Sequence, residues 1–273
     1  MKKISTLISR SIQKSQGIDI SMYDDSFIEK SLQKRLSATQ SNSTQDYLNY
    51  FEKHNDEENH FLDSLQISYS EFFRNPLTFS VLERIILPQI IQKKKDSKRK
   101  EIRVWSAACA GGQESYSVAM LLNELVNNNN EEISFRIFAT DQSSNQINEA
   151  NKGNYTENLI QYVSLKRINQ WFSKNGCEYL INQNLKKNID FSTFDLFNSQ
   201  FSCPPASIFG DFDLIICANL LFYYKPKYQK IILEKTMNCL APGGFLIVGE
   251  AERSILMNHN FREVYPQSAI FTK

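Results

Sequence analysis

The sequence predicts an α/β protein: an all-helical N-terminal domain, then a doubly wound, mostly parallel sheet that carries a small inserted β-subdomain. Three observations predict it. Apolar residues recur at helical spacing through the first 66 residues. The run Ile102-Arg103-Val104-Trp105-Ser106-Ala107-Ala108 is apolar enough for a central strand, and it passes through Gly111-Gly112 into a helix pattern that reaches Leu125. Strand-like and helix-like runs then alternate toward the C-terminus, the rhythm of βα units.

Taken in order, the helices of residues 1–66 are marked by Leu7, Ile8 and Ile12, then Phe27, Ile28, Leu32 and Leu36. Tyr47, Leu48 and Phe51 mark the next, and Phe61, Leu62 and Leu65 the last. Gly17 and the polar residues 37–44 separate them. Residues 67–100 form a linking segment: a helix over 79–92 bent by Pro88, then residues 93–100, whose six basic side chains and one acid predict a solvated loop. The sheet domain spans residues 101–273. Residues 159–191 break its rhythm with Trp171, Phe172, Asn175-Gly176 and Tyr179-Leu180-Ile181, which predicts an inserted helix and hairpin. Asp213-Leu214-Ile215-Ile216-Cys217 is a further buried strand, running into a polar-aromatic edge from Asn219 to Tyr224. Pro242-Gly243-Gly244 predicts a plain turn before the strand Phe245-Leu246-Ile247-Val248.

The glycine turn and its surroundings define a class of ligand. There is no G-x-x-x-x-G-K-[ST] phosphate cradle, and two adjacent glycines do not make the spaced G-x-G-x-x-G of dinucleotide sites. The loop ends in Glu114 near a helix N-terminus, where an acid repels phosphate and attracts an ammonium or sulfonium group. The next strand, Phe135-Arg136-Ile137-Phe138-Ala139-Thr140-Asp141, brings Asp141 to its carboxyl end. Ligands of open α/β sheets bind at that edge, and an acid there takes ribose hydroxyls. The same carboxylate is placed to cap the helix that begins near Ser143. An acid after the glycine turn and a ribose acid one βα unit later suit S-adenosylmethionine (SAM).

Several short blocks occur in a fixed order. They are Gln16-Gly17-Ile18-Asp19-Ile20-Ser21-Met22-Tyr23, Ser70-Glu71-Phe72-Phe73-Arg74-Asn75, Trp105-Ser106-Ala107, Glu114-Ser115-Tyr116-Ser117 and Ala139-Thr140-Asp141. Gly153-Asn154-Tyr155, Asn219 through Tyr223, and Pro242-Gly243-Gly244 follow. In these blocks the chain resembles the chemotaxis-receptor protein-glutamate O-methyltransferases, the CheR family, over nearly its whole length. The Phe-Phe-Arg block, close to the family's T-x-F-F-R-D, and the Trp-Ser-Ala and Glu-x-Tyr-Ser blocks are the most specific.

The resemblance implies SAM as cofactor, S-adenosylhomocysteine as product, and methyl transfer to glutamate side chains in the cytoplasmic helical region of chemoreceptors. It places Ser68, Ser70, Arg74, Ala107, Gly111, Glu114, Asp141, Asp195, Leu196, Asn219 and Leu220 on the cofactor. Glu114 would meet the methionine ammonium, Asp141 the ribose, and Asp195-Leu196 the adenine. Arg74 and Tyr223 are the catalytic candidates. Arg74 would hold the acceptor carboxylate or close the site, and Tyr223 would lie at the strand edge beside the methyl group. Such chemistry needs no general base, because a glutamate is anionic at neutral pH. It needs oxygen, methyl carbon and sulfur aligned and the carboxylate stripped of water.

Departures from the family's pattern fall nearer the acceptor than the cofactor. Ala218 replaces the arginine before Asn219, Gln113 replaces an acid before Glu114, and Asp195 stands for asparagine. Glu250-Ala251-Glu252-Arg253 stands where His-Ser-Glu-Ser is usual, and the insert between Phe172 and Leu185 is short beside members that grip a receptor's tail peptide. Residues 1–36 hold seven basic side chains against four acids, and a basic helix face at Lys30, Lys34 and Arg35 would steer an acidic helical substrate. The family uses that helix for receptor contact, although Ser31 stands where it has arginine. Two alternatives remain: a SAM methyltransferase with another protein or small-acid acceptor, and a non-catalytic SAM-binding signalling module. Intact Arg74 and Tyr223 argue for catalysis.

Composition excludes other classes. A net charge of +1 demands no nucleic acid, and 41% hydrophobic residues are a globular value. Five scattered cysteines without C-x-x-C read as reduced and intracellular, and three histidines lack metal-ligand spacing. No signal-peptide core or membrane-length run is present, so the expectation is a cytoplasmic monomer with no bound metal and no membrane insertion.

Overall fold

The structure, a computed structural model, describes residues 2–65, 69–128, 133–207, 210–259 and 261–272. The chain divides into two compact units, Met1–Ile67 with Phe222–Lys230, and Ser68–Leu221 with Ile231–Lys273.

The first unit contains α1 (Lys2–Gln16), α2 (Asp25–Ala38), α3 (Thr44–Lys53) and α4 (Glu57–Leu65). Side-chain caps start two of these helices: Asp24 accepts from the amide of Ser26 at 2.9 Å and Ser43 from that of Asp46 at 3.1 Å. The apolar stripes converge on one core of Ile8, Ile12, Ile28, Leu32, Tyr47, Phe51, Phe61 and Leu65. A polar knot lies inside it. Glu57, 2% exposed, takes both prongs of the Arg35 guanidinium at 2.8 and 2.7 Å and the Tyr47 hydroxyl at 2.7 Å. Burial raises the Glu57 carboxyl, but the hydrogen bonds from Arg35 and Tyr47 outweigh it and hold the group below its usual range. Arg35 is therefore an internal tie, whereas Lys30 and Lys34 are exposed. Ser31 is buried and donates to the Ser64 carbonyl at 3.2 Å, so position 31 faces α4 and is not part of a basic surface.

Phe222–Lys230 belongs to the same unit. The Asp24 amide donates to the Tyr223 carbonyl at 2.8 Å, and Tyr23 pairs with Tyr224 through a β-bridge and rings 5.1 Å apart. The Tyr223 ring lies 4.9 Å from that of Phe27.

The second unit opens with α5 (Pro76–Val81), a π-helical turn over Leu82–Ile86, and α6 (Leu87–Lys95). Pro88 lacks an N–H and its ring would crowd the carbonyl of Arg84, so the widened turn just before it replaces the expected bend. The expected solvated loop at residues 93–100 is corrected in part. The helix continues through Lys95, its terminal lysines favourably placed at the negative end of the helix dipole, and Lys94 is buried against Asp213 at 2.9 Å.

Next come β1 (Glu101–Ala107), α7 (Gln113–Asn128), β2 (Ser134–Asp141), α8 (Ser144–Lys152) and β3 (Asn154–Thr156). Then follow α9 (Leu165–Trp171), β4 (Phe172–Asn175), β5 (Glu178–Ile181), α10 (Gln183–Lys186), β6 (Ile189–Thr193) and β7 (Phe212–Ile216). The chain ends with α11 (Pro226–Cys239), β8 (Leu240–Ile247), α12 (Arg253–Met257), β9 (Arg262–Glu263) and β10 (Ile270–Thr272). The main sheet has the order β6-β2-β1-β7-β8-β10-β9; its first five strands are parallel, β10 runs antiparallel to β8, and β9 runs antiparallel to β10. The order reverses between β1 and β7, which opens a ligand crevice at their carboxyl ends.

The predicted hairpin is β4–β5, and β3 adds a third antiparallel strand, so the inserted sheet starts at Asn154 and ends at Ile181. The later residues of the expected insert, 189–191, lie in the main sheet as β6. Pro242-Gly243-Gly244 is a bulge within β8 and not a separate turn: Phe212 faces Leu240, and Leu214 already faces Phe245. No helix among the described residues is long and apolar enough to cross a membrane.

Candidate functional site

The loop after β1 is built from backbone in the left-handed region. Ala108, Ala110 and Gly112 have φ of 65°, 45° and 87°. For alanine that conformation costs on the order of 1 kcal/mol or more, so the surroundings must hold it. They do: the Cys109 amide donates to the Thr140 carbonyl at 2.8 Å, the Gly112 amide to the Cys109 carbonyl at 3.0 Å, and the Tyr155 hydroxyl to the Gly111 carbonyl at 2.6 Å. A Cβ on Gly112 would sit 3.0 Å from the Ala150 methyl and 3.2 Å from the Phe191 ring. The second glycine is thus required by α8 and β6 as well as by any ligand.

Glu114 stands in the first turn of α7 and is half-buried. The Ser106 hydroxyl, from β1, donates to its Oε1 at 2.9 Å. Burial pushes the Glu114 carboxyl up to about 7; the Ser106 hydrogen bond and the Arg74 charge work against the rise, and the Glu252 charge adds to it. An acid so placed is poised to ionise when a cation arrives.

Asp141 closes β2, and the capping role expected of it is divided. Ser143 is the N-cap of α8, while Asp141 Oδ1 accepts from the Ser143 amide at 2.9 Å and Oδ2 from the Ala110 amide at 3.0 Å. The carboxylate ties the loop after β1 to the end of β2. Each carboxylate oxygen can accept two hydrogen bonds, so the carboxylate keeps acceptor capacity for a ligand hydroxyl.

The third wall follows β7. Asn219 has φ 60° and, with Leu221, is held by a residue the sequence reading did not single out. Glu252, fully buried, accepts from the backbone amides of Asn219 at 2.8 Å, Leu221 at 2.6 Å and Gly249 at 2.6 Å. A carboxylate surrounded by amides fixes the path of residues 219–221. The available signal was its position as the glutamate shared with His-Ser-Glu-Ser.

These groups form two acid-bearing arms around a strained loop. Gln113 Oε1 and Ser115 Oγ are buried there without hydrogen-bond partners among the described residues. Open carboxylate lone pairs and an orphaned amide oxygen fit a ligand with ammonium, sulfonium and ribose hydroxyl groups, and they do not fit a polyphosphate.

Residues 68–270 match the CheR methyltransferase, SAM binding domain, and residues 6–65 match the CheR methyltransferase, all-alpha domain. The chain belongs to the CheR methyltransferase family. Its cofactor is SAM. Among curated relatives, it is 31% identical to a chemotaxis protein methyltransferase of Borreliella burgdorferi over 256 residues, covering 92% of this chain and 87% of that protein. It is 29% identical to the chemotaxis protein methyltransferase Cher2 of Pseudomonas putida, with 70% and 68% covered, and 26% identical to a chemotaxis protein methyltransferase of Listeria monocytogenes, with 93% and 91% covered.

The remaining CheR-type positions fall as follows. Ala107 ends β1 and is buried. Arg74 is half-buried between two left-handed residues, Phe73 (φ 51°) and Asn75 (φ 62°), and its guanidinium lies 5.4 Å from the Tyr69 ring centre. Phe72 and Phe73 are buried, and the Phe73 amide donates to Ser117 Oγ on α7 at 3.0 Å, which fixes the Phe-Phe-Arg turn beside the helix that carries Glu114. Ser70 is half-buried; Ser68 lies outside the described residues. Leu196 is buried, whereas Asp195 is exposed and accepts from the Phe197 amide at 2.8 Å, a local turn contact. Leu220 is half-buried beside Asn219. Tyr223 was expected at a strand edge but lies in a 3₁₀ turn, Leu221–Tyr223, and its ring packs on Phe27 of the first unit.

Proposed function

We propose that this protein transfers the methyl group of SAM to glutamate side-chain carboxylates in the cytoplasmic helical region of chemoreceptors, giving glutamate methyl esters and S-adenosylhomocysteine. The observation that carries the reading is the paired-acid edge, Glu114 and Asp141, beside the Phe72-Phe73-Arg74 turn in a chain of the CheR methyltransferase family. SAM, when bound, supplies an activated methyl group on a sulfonium. The chain's own residues bind and orient. Glu114 holds the methionine ammonium, Asp141 the ribose hydroxyls, and Glu252 keeps Asn219 and Leu220 in place as the cofactor's further wall.

Arg74 supplies the one cation of the Phe-Phe-Arg turn, and its role is to receive the acceptor carboxylate or close over the cofactor. Its charge, which acts on the Glu114 carboxyl, supports a place near the methionine end of the cofactor. Tyr223 is the proposed orienting group for the acceptor. No proton has to be removed from a glutamate at neutral pH, so alignment and exclusion of water carry the rate.

Ala218, in place of the usual arginine, favours a second reading in which another protein or a small acid is the acceptor. Incubation with methyl-labelled SAM and chemoreceptor cytoplasmic fragments separates the readings. Base-labile label on receptor glutamates supports the first, label on a different acceptor supports the second, and tight cofactor binding without transfer to any acceptor overturns both.

A further inference from the structure

Two cysteines that are 36 positions apart in the sequence meet in the second unit. Cys203 lies in the segment between β6 and β7, and Cys239 is the last residue of α11. Both line the space around Gly210. A Cβ placed on Gly210 would come 2.7 Å from the Cys203 sulfur and 3.4 Å from the Cys239 Cα. With φ at 60°, Gly210 is the residue that leaves room for the sulfur. The Cys239 sulfur is 3.0 Å from the carbonyl of Ser202, the residue before Cys203. Cys203 is partly exposed and Cys239 is buried.

The setting favours thiolate at the accessible member. The neighbouring Cys239 thiol holds the Cys203 thiol below its usual range against the effect of burial, and the charges of Arg103 and Lys235 act in the same sense. Lys235, on α11, also donates to the Phe201 carbonyl at 3.0 Å, so the segment is already tied to the helix beside the two sulfurs. A partly exposed, activated thiol with a buried resolving thiol next to it is the arrangement of a redox-sensitive pair.

We propose that Cys203 and Cys239 are an oxidisable dithiol that peroxide converts to a disulfide between the β6–β7 segment and the end of α11. The Cys203 thiolate attacks one oxygen of hydrogen peroxide; the O–O bond breaks, and the departing hydroxide takes up a proton to become water. The Cys239 sulfur then attacks the resulting sulfenic acid. The S–O bond breaks, a second water leaves with the Cys239 proton, and the S–S bond remains. Two thiols are oxidised by two electrons, and one peroxide is reduced to two waters. The link pins the segment that carries Asp195 and Leu196 to α11.

The test uses the full chain with Cys177→Ser, which removes the exposed cysteine on the inserted hairpin. Limited treatment with hydrogen peroxide should remove two thiols, reversibly by dithiothreitol, and peptide mapping should join the Cys203 and Cys239 peptides. In a Cys239→Ser chain, dimedone should trap the Cys203 sulfenic acid and no link should form; in a Cys203→Ser chain both products should vanish. The oxidised chain should melt at a higher temperature than the reduced one, because the link closes a loop and so restricts the unfolded chain. No thiol loss, a link to Cys109 or Cys217, or a link that forms only as the melting temperature falls would overturn the proposal.

Discussion

The hydroxyl of Ser106 donates to Oε1 of Glu114 at 2.9 Å, joining the end of β1 to the first turn of α7 across the strained loop. This single bond places the acid proposed to meet the cofactor's ammonium. Its strength is modest, and burial wins: the Glu114 carboxyl is pushed up to about 7.

A pH dependence follows for cofactor binding. With Glu114 as the proposed partner of the SAM ammonium, calorimetric affinity should rise roughly tenfold between about pH 6 and about pH 8, with proton release at the lower pH. Glu114→Gln should bind weakly and lose that slope. For the free protein the sign is opposite. A carboxyl whose folded value is raised from 4.5 to about 7 favours folding at low pH, and that contribution is lost as pH rises through this window. Chemical denaturation across the window should show stability falling more steeply with pH in wild type than in Glu114→Gln.

Asp141→Ala should weaken SAM binding by about 10- to 100-fold, the loss of one or two hydrogen bonds to a charged acceptor. Part of that loss is indirect, because Asp141 also holds the Ala110 amide. Asp141→Asn keeps one acceptor oxygen and should retain a measurable share. Unchanged affinity in both would remove Asp141 from the site.

Glu252→Ala leaves three backbone amides of the β7 and β8 ends without their acceptor. A cost of about 3 kcal/mol or more in unfolding free energy is expected, with a matching loss of cofactor affinity in the folded fraction. Urea unfolding and equilibrium binding would show both.

Tyr223→Phe keeps the ring that packs on Phe27 and deletes the hydroxyl. Stability and SAM affinity should stay near wild type, and the methyl-transfer rate should fall about 10- to 100-fold if the hydroxyl orients the acceptor. Wild-type turnover would assign Tyr223 to packing.

Much of this architecture was legible in the chain. The buried run of β1, the acid at the end of β2 and the helical stripes of residues 1–65 have patterns that the folded elements reproduce, because burial on one or both faces constrains every second or every third to fourth residue. The misreadings share a cause: long-range pairing that a local pattern does not encode. Lys94 reads as part of a solvated basic run until Asp213, brought alongside by β7, takes its charge. Arg35 reads as a surface cation until Glu57 binds both its prongs. Pro242-Gly243-Gly244 reads as a turn, but β7 pairs on either side of it and makes it a bulge. In the site, Glu114 and Asp141 were visible from their places beside a glycine turn and a strand end. Glu252 was not, since its value lies in amides 31 and 33 residues earlier in the chain.

The return of Phe222–Lys230 to the first unit bears on how the chain can be divided. A chain shortened to begin after residue 68 would still carry this piece of the helical unit, with the buried Tyr224 stripped of Tyr23 and Lys225 of the Met22 carbonyl and the Asp25 carboxylate. The apolar rings left uncovered would invite self-association, and the turn that follows Leu221 would lose its backbone anchor at Asp24. The helical unit expressed alone would lack the same piece. The boundary near residue 67 is thus a seam in sequence but not a line along which the protein separates into two self-sufficient halves.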